Sequence, residues 1–307
     1  TMKRLTLLFA LLLMFTSALS AQTFMVMSVK GKVEVQRKSA KKKEWKSLSV
    51  GDQLQGADVV RTAFASYAKL MMNQERLVSI DENTTKVLST FAAASKQAGD
   101  GASGKLLQYA ASQIRRTREG GQEDVYGAVR GTLDVVSAVF PKQALMTTEP
   151  LFRWIDPSDR SEYDLLLLDD NFAVIARLRS GETQLRYEPG ATPALANGGV
   201  YHWRITRVKD GSESNIETFR ILSADSIAVI QEELRRLDVE LRDMGADDVT
   251  LHLIRGIYFE QKGLFNDAFV EYSETRRLAP DVAEYRDILR NLLMQMRLYN
   301  EEEYLLK

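Results

Sequence analysis

Short runs in which apolar and polar residues alternate fill the chain from residue 24 to residue 88. Residues 25–29 and 32–36 form one pair of runs around Gly31, and residues 66–71 and 76–80 form another around a polar turn. Period-two alternation, broken by turn residues at intervals of about 8–12 residues, is typical of a compact β domain. The pattern therefore predicts a β-rich domain over residues 22–90.

Alternation returns over residues 150–222, where candidate strands are separated by turns that contain Gly and Asp. Short strands at this density suit an antiparallel sandwich of the immunoglobulin or fibronectin type, which we place at residues 146–223. Trp154 and Trp203 lie on its strands. They could form a carbohydrate-stacking pair, but alternating aromatic residues more often build the core of such a sandwich, and we favour the core.

Helical spacing replaces alternation between and after these two regions. Residues 91–145 are expected to hold a helical insertion, with apolar residues three and four apart over residues 105–118, and a connecting strand. Residues 224–307 are expected to be helical, and their first apolar stripe consists of Ile227, Ile230, Leu234, Leu237, Leu241 and Met244. The chain is therefore predicted to be multidomain, with a β-rich N-terminal domain, a central antiparallel β-sandwich and C-terminal helical hairpins.

One family resemblance lies in the first domain. It rests on the strand Val29-Lys30-Gly31-Lys32-Val33-Glu34-Val35, followed by Trp45, Val50-Gly51-Asp52 and Asp58-Val59-Val60-Arg61-Thr62. In this order these residues resemble the FecR-type extracytoplasmic domain. The best-known members of that family are membrane-anchored regulators that communicate with a sigma factor. We expect no such anchor here, so the resemblance implies the domain and not the regulatory role.

A second resemblance lies in the helical region, at residues 249–282. Its small, aromatic and helix-ending residues are Gly256, Phe259, Gly263, Phe265, Ala268, Tyr272 and Pro280. Their spacing resembles the tetratricopeptide repeat, in which small residues let two helices approach and proline ends the second. His252 stands where that repeat usually has Trp. The resemblance implies an inner helix face that exposes Leu253, Ile257, Glu260 and Gln261 to a partner peptide, and a purely structural packing role is equally open.

The first 21 residues have the pattern of a secretory signal peptide. Lys3 and Arg4 precede an apolar run over residues 5–15, and small residues follow up to Ala21. The run is shorter than the roughly 20 apolar residues that a membrane-spanning helix needs. We therefore predict cleavage after Ala21 and an exported protein, periplasmic or extracellular, with no integral membrane segment after cleavage.

Composition narrows the chemistry that the chain can carry. Its 307 residues include 41 Lys and Arg against 42 Asp and Glu, no Cys, and only two His, His202 and His252. The balanced charge argues against nucleic acid as a partner, and the absence of Cys excludes thiolate metal sites and thiol nucleophiles. The spacing Gly99-x-Gly101-x-x-Gly104 follows no buried strand, so it does not predict a dinucleotide site. The sequence therefore predicts no catalytic residues, no metal, no cofactor and no enzymatic activity.

One basic segment remains as a candidate for binding. Its lysines crowd a loop around Trp45 and are Lys38, Lys41, Lys42, Lys43 and Lys46. Such a run usually only solvates a hairpin loop, but it also suits an anionic partner. We expect a non-enzymatic exported bacterial envelope protein that acts as a protein-interaction scaffold or adaptor for an envelope protein or peptide. The alternative is a module that binds cell-wall glycan or another polysaccharide through the Lys-rich loop, Trp45 and exposed aromatic residues.

Overall fold

The computed structural model describes residues 22–91, 101–119, 136–158, 161–188 and 193–306. The predicted signal peptide, residues 1–21, lies outside the described residues, as do residues 92–100 and 120–135 of the predicted insertion. Along the described chain, an N-terminal β-sandwich is followed by a central β-sandwich and then by a group of helices.

Two four-stranded antiparallel sheets form the N-terminal unit. We call them the β1 sheet, with strand order β4-β1-β6-β7, and the β2 sheet, with order β3-β2-β5-β8. The strands are β1 Thr23–Lys30, β2 Val33–Gln36, β3 Trp45–Ser47, β4 Gln53–Gln55, β5 Val59–Thr62, β6 Tyr67–Met72, β7 Arg76–Ile80 and β8 Thr85–Val87. Gly31 joins β1 to β2 at a φ of +71°, and a Cβ there would lie 2.3 Å from Ser66 Oγ, so this turn requires glycine.

Both faces of the β1 sheet are buried. Phe24 and Val26 of strand β1 point into the core between the two sheets. Met25 and Met27, which alternate with them, belong to a second core together with residues of helix α1, Ala102–Arg118, and of the C-terminal helices. Because successive side chains of a strand point to opposite faces, an unbroken apolar run in β1 supplies both cores.

The central unit is also a sandwich of two sheets, with strand orders β14-β11-β9 and β10-β16-β15-β12-β13. Its strands are β9 Ser137–Phe140, β10 Gln143–Leu145, β11 Leu151–Ile155, β12 Tyr163–Asp169, β13 Val174–Ser180, β14 Gln184–Arg186, β15 Val200–Arg207 and β16 Glu217–Ile221. Trp154 and Trp203 are buried between the sheets, as the sequence favours, and the Phe152 ring meets Trp203 edge-on at 4.9 Å.

Two features of the central sandwich differ from the sequence prediction. Strands β9 and β10 pair within its sheets, so the sandwich includes residues before the predicted boundary at 146. The sandwich is also not wholly antiparallel, because β10 runs parallel to β16. Strands β9 and β10 lie within residues 91–145, where the sequence predicts a connecting strand after the insertion. Each is only three or four residues long, and the sequence gives no local sign of the distant strands with which they pair.

Helices complete the chain. They are α2 Ala224–Asp243, α3 Asp248–Gln261, α4 Phe265–Leu278, α5 Ala283–Gln295 and the single turn α6 Glu302–Leu305. Asp247 caps α3, because its Oδ1 accepts a 2.9 Å hydrogen bond from the Thr250 backbone N–H. The coarse prediction of β structure in the first two-thirds of the chain and helices in the last third is confirmed.

Direct contacts join the three units. The Tyr285 hydroxyl of α5 donates a 2.5 Å hydrogen bond to the backbone carbonyl of Met27 in β1. The Asn266 side chain of α4 pairs with the free edge of β10: its Oδ1 accepts from Lys142 N at 3.0 Å and its Nδ2 donates to Ala144 O at 3.1 Å. An amide side chain presents the same donor and acceptor as a backbone unit, so Asn266 substitutes for a neighbouring strand.

Helices α3 and α4 approach each other closely at one glycine. A Cβ on Gly256 of α3 would lie 2.4 Å from the Tyr272 ring of α4, which is itself buried. We predict that Gly256→Ala lowers the free energy of unfolding by about 1–3 kcal/mol, since the added methyl overpacks the contact. Helix propensity alone would instead raise the stability of the alanine variant by about 1 kcal/mol, so the sign of the measured change distinguishes the two effects.

Urea denaturation measures this effect. Gly181→Ala is the control, because a Cβ at Gly181 meets nothing within 4 Å, and it should change stability by about 0.5 kcal/mol or less. An increase in stability for Gly256→Ala would contradict the close approach of the two helices.

Candidate binding surfaces

The inner face of α3 does not expose the residues that the tetratricopeptide resemblance assigns to partner binding. Leu253 and Ile257 are fully buried, so the prediction that they are exposed is wrong. Helix α1 packs against α3 and α5. Its apolar residues, among them Leu107 and Ile114, belong to the same core as Leu253 and Ile257. A helix that precedes them by more than a hundred residues therefore covers the predicted binding face.

The other two predicted residues of this face lie at its end. Glu260 is half-buried and accepts hydrogen bonds from the Tyr272 hydroxyl at 2.5 Å and from Gln295 Nε2 at 2.8 Å. Gln261 is exposed at the last position of α3. Glu260 thus links three helices, and the hairpin has a structural role that accounts for three of the four predicted residues.

The Lys-rich segment forms the loop between β2 and β3, which we call the basic loop, residues 37–44. Lys41, Lys42 and Lys43 are exposed, as are Lys38 in the loop and Lys46 on β3. Three hydrogen bonds hold the loop to the sandwich, one of them from Arg37 Nη1 to Gln53 O at 2.7 Å. The Lys38 backbone N–H donates to Asp58 Oδ1 at 2.9 Å, and Gln36 Nε2 donates to Lys43 O at 3.2 Å.

Trp45 lies on β3, beside the basic loop, and is half-buried. The Arg61 guanidinium lies 4.1 Å from the centroid of its ring, within the range of a cation–π interaction. The same guanidinium donates from Nε to Glu34 Oε2 at 2.8 Å, and this hydrogen bond lowers the pKa of the Glu34 carboxyl. The arginine therefore neutralises the nearest acid on this face and leaves Trp45 against a positively charged group.

A surface that the sequence did not predict lies on the five-stranded sheet of the central sandwich. We call it the outer sheet face, and its residues are Phe172, Val174, Arg177, His202 and Arg220. The Phe172 ring is 57% exposed and stacks on the His202 ring at 4.1 Å with an interplanar angle of 8°. Val174 is 53% exposed and lies in register with Leu168, whose other neighbour is His202. Apolar and aromatic groups are thus left open to solvent on one sheet face.

The backbone holds Phe172 in place. Its φ is +60°, which is uncommon for an aromatic residue and costs about 1 kcal/mol or more. Asp169 stabilises this turn: its Oδ1 accepts from Asn171 N and Ala173 N, both at 2.9 Å, and its backbone carbonyl accepts from Phe172 N at 3.0 Å. The sequence places Phe172 at the start of a strand; an aromatic residue directly after three turn-forming residues was the signal for an exposed tip.

The outer sheet face continues into an open cleft of about 280 Å³. Thr218 and Arg220 of β16 line one side, and Gly263, between α3 and α4, lines the other. Thr218 Oγ1 also lies 2.8 Å from His202 Nδ1, so the cleft and the stacked Phe172–His202 pair adjoin. Arg220 is exposed here and has no ion-pair partner in the described part of the chain.

No three His, Asp or Glu side chains among the described residues are placed to hold a metal ion. His252 Nδ1 lies 2.6 Å from Glu271 Oε2 across the α3–α4 pair. No helix within the described ranges is long and apolar enough to span a membrane.

Comparisons with known proteins give no family. No protein-family model matches the chain, and no curated protein sequence matches it. Ruminococcus gnavus β-glucuronidase, solved in complex with uronic isofagomine, matches with a TM-score of 0.20 and 11% identity over 66% of this chain and 32% of that one. The β-D-glucuronidase for Dictyoglomus thermophilum matches with a TM-score of 0.19 and 8% identity over 66% of this chain and 44% of that one. Faecalibacterium prausnitzii β-glucuronidase matches with a TM-score of 0.18 and 10% identity over 66% of this chain and 34% of that one. The chain spans less than half the length of each, and scores this low carry no argument about fold or activity.

One carboxyl group makes stability depend on pH. Burial raises the pKa of Asp267 to about 7, and the nearby Glu271 charge adds to the rise against an opposing backbone hydrogen bond. Its Oδ2 is buried and has no hydrogen-bond partner among the residues that the structure describes. Because the unfolded chain releases this proton near pH 4 and the folded chain near pH 7, the folded state loses stability as pH rises through that window.

We predict that Asp267→Asn removes this loss. The stability of the variant relative to the wild type should rise between pH 4 and pH 8 by a few kcal/mol at most, on the order of 3, because the amide stays neutral. Denaturation midpoints across this pH range measure it, with the exposed Asp281→Asn as control. A stability difference that stays flat with pH would show that Asp267 is ionised in the folded protein.

Proposed function

We propose that the protein is a non-enzymatic exported adaptor of the bacterial envelope that binds another protein through the outer sheet face. In this proposal the N-terminal unit is a FecR-like domain and the central unit an immunoglobulin or fibronectin-like sandwich. The separation of β14-β11-β9 from β13-β12-β15-β16-β10 supports the second assignment. The α3–α4 pair, with Gly256 at its contact and Pro280 after its end, supports tetratricopeptide-like hairpins.

The observation that carries the proposal is the exposed, fixed aromatic tip at Phe172. Exposed aromatic and arginine side chains are enriched at the centres of protein interfaces, where a few of them supply most of the binding energy. Phe172 is held by the Asp169 turn and by stacking on His202, so binding would cost it little conformational freedom. Arg177 and Arg220 are exposed on the same sheet face and form no ion pair with another described residue, so both can meet carboxylates of a partner.

This proposal moves the binding site away from the helical hairpin. The hairpin face with Leu253 and Ile257 is part of the protein core. A partner peptide could reach it only by displacing α1, which would expose the apolar side of the β1 sheet. The outer sheet face presents apolar surface to a partner without the displacement of any helix.

Site-specific photocrosslinking tests the proposal. A photoreactive residue is placed at Val174 in the outer sheet face or, as a matched control, at Val229 on α2, which is 57% exposed. In cells that make the protein, we expect a discrete protein adduct from position 174 and none from position 229. Phe172→Ala should reduce the yield of the adduct at least tenfold, because truncating a central aromatic residue costs about 2 kcal/mol or more of binding energy.

Folding and specificity controls complete the experiment. Phe172→Ala should keep its thermal midpoint, since the side chain is exposed and lies outside the sandwich core. Equal adducts from positions 174 and 229, or an adduct that persists in a folded Phe172→Ala protein, would refute binding through this face. Binding of the captured protein to purified wild-type chain, and not to Phe172→Ala, would confirm it.

A further inference from the structure

The basic loop and the face next to it carry an unbalanced positive charge. Residues 38–46 contain five Lys and one Glu, a net charge of about +4. Nearby acids already have partners that hold them in place. Asp58 accepts backbone hydrogen bonds from Lys38 and Gln55, each at 2.9 Å, and Glu34 is held by Arg61. None of the five lysines forms an ion pair within the described ranges, so their charge is available to a ligand.

The basic loop connects two strands of the β2 sheet, and the outer face of that sheet lies beside it. Its outer face carries one row of residues that crosses all four strands: Trp45, Gln36, Val59 and Val87 lie in register from β3 to β8. Trp45 is half-buried in this row, with the Arg61 guanidinium over one side of its ring, and Val87 is 38% exposed. The helices cover the β1 sheet, and no described helix packs on this face of the β2 sheet, so a ligand can lie along the row.

We infer that the basic loop and this row bind an acidic polysaccharide, with sugar rings against Trp45 and the row, and carboxylates against the lysines. A flat aromatic and aliphatic strip suits the apolar face of a sugar ring. A run of lysines suits a polymer whose negative charges repeat. The inference goes beyond the proposed adaptor function and depends on different residues.

Two other anionic partners fit the surface less well. A membrane would be bound best by a loop with large apolar side chains at its tip, but the tip between Lys38 and Lys41 holds only Ser39 and Ala40. Inorganic polyphosphate would form ion pairs with the lysines, but it has no apolar face that could pack against the row. The combination of repeated charge with a fixed flat strip therefore favours a carboxylated sugar polymer.

Tryptophan fluorescence and affinity measurements test the inference on the purified full chain without residues 1–21. The probe is polygalacturonate, and neutral dextran is its uncharged control. Trp154 and Trp203 are buried, so a change in emission on binding reports Trp45. We expect polygalacturonate to bind and to shift the emission, with an affinity that weakens as salt screens the charges, and dextran to do neither.

Two triple variants separate position from net charge. Lys41→Gln, Lys42→Gln and Lys43→Gln together should weaken polygalacturonate binding at least tenfold. Lys30→Gln, Lys105→Gln and Lys209→Gln together remove the same charge from exposed lysines elsewhere and should change it less than threefold. Trp45→Phe should abolish the emission change and keep part of the affinity. All of these positions are exposed or half-buried, and matching thermal midpoints would verify folding.

Specific outcomes would overturn the inference. An equal loss of polygalacturonate affinity in the two triple variants would show that binding depends only on the net charge of the protein. Equal or tighter binding of polyphosphate, or of vesicles made of phosphatidylglycerol alone, would assign the loop to a general anion or to a lipid surface. Failure of crosslinking at Val174 would leave polygalacturonate binding unaffected, so the two proposals can fail separately.

Discussion

The apolar outer side of the β1 sheet is the constraint on which the rest of the structure depends. Met25, Met27, Met71 and Leu77 project from this side, away from the sandwich core, and water cannot be left against them without a large loss of hydrophobic stabilisation. Helix α1 and the C-terminal helices cover them. The helical region is therefore a second layer of the N-terminal unit, although the whole central sandwich separates the two in sequence.

This second layer explains why the helical hairpin looks like a binding module and is used as a core. Helix α3 has apolar residues on nearly every side, so it can be stable only when surrounded. Helix α4 covers one side through the Gly256–Tyr272 contact, and α1 and α5 cover others. Helices that lie far apart in the sequence therefore supply the neighbours that α3 and α4 need to bury their apolar faces.

The sequence predicted what depends on local pattern and missed what depends on distant partners. Alternation located most strands of both sandwiches, and helical spacing located α1 and the hairpin. The apolar run Phe24-Met25-Val26-Met27, predicted from the sequence as part of an alternating strand, is buried on both faces of β1, and its own pattern does not name the elements that cover it. Leu253 and Ile257 were predicted to be exposed for the same reason, since α1 lies far away in sequence. At the candidate binding surfaces, the exposure of Lys41 to Lys43 followed from composition. The exposed position of Phe172 depends on the positive φ of its backbone, which the sequence does not show.

The exposed groups that packing does not explain are the best guides to binding. Apolar side chains of the β1 sheet are accounted for by the N-terminal sandwich core and the core shared with the helices, and those of α1 and α3 by the shared core. Trp154 and Trp203 are accounted for by the central sandwich core. Phe172 is different, because the chain holds an aromatic ring in solvent at a positive φ when a smaller or more flexible residue would relieve both costs. The basic loop is different as well, because its lysines outnumber its single glutamate, repel one another and form no ion pair with another described residue. Each is unfavourable in the isolated protein, and each becomes favourable against a complementary surface, which is the physical reason to assign binding to these two places and not to the hairpin.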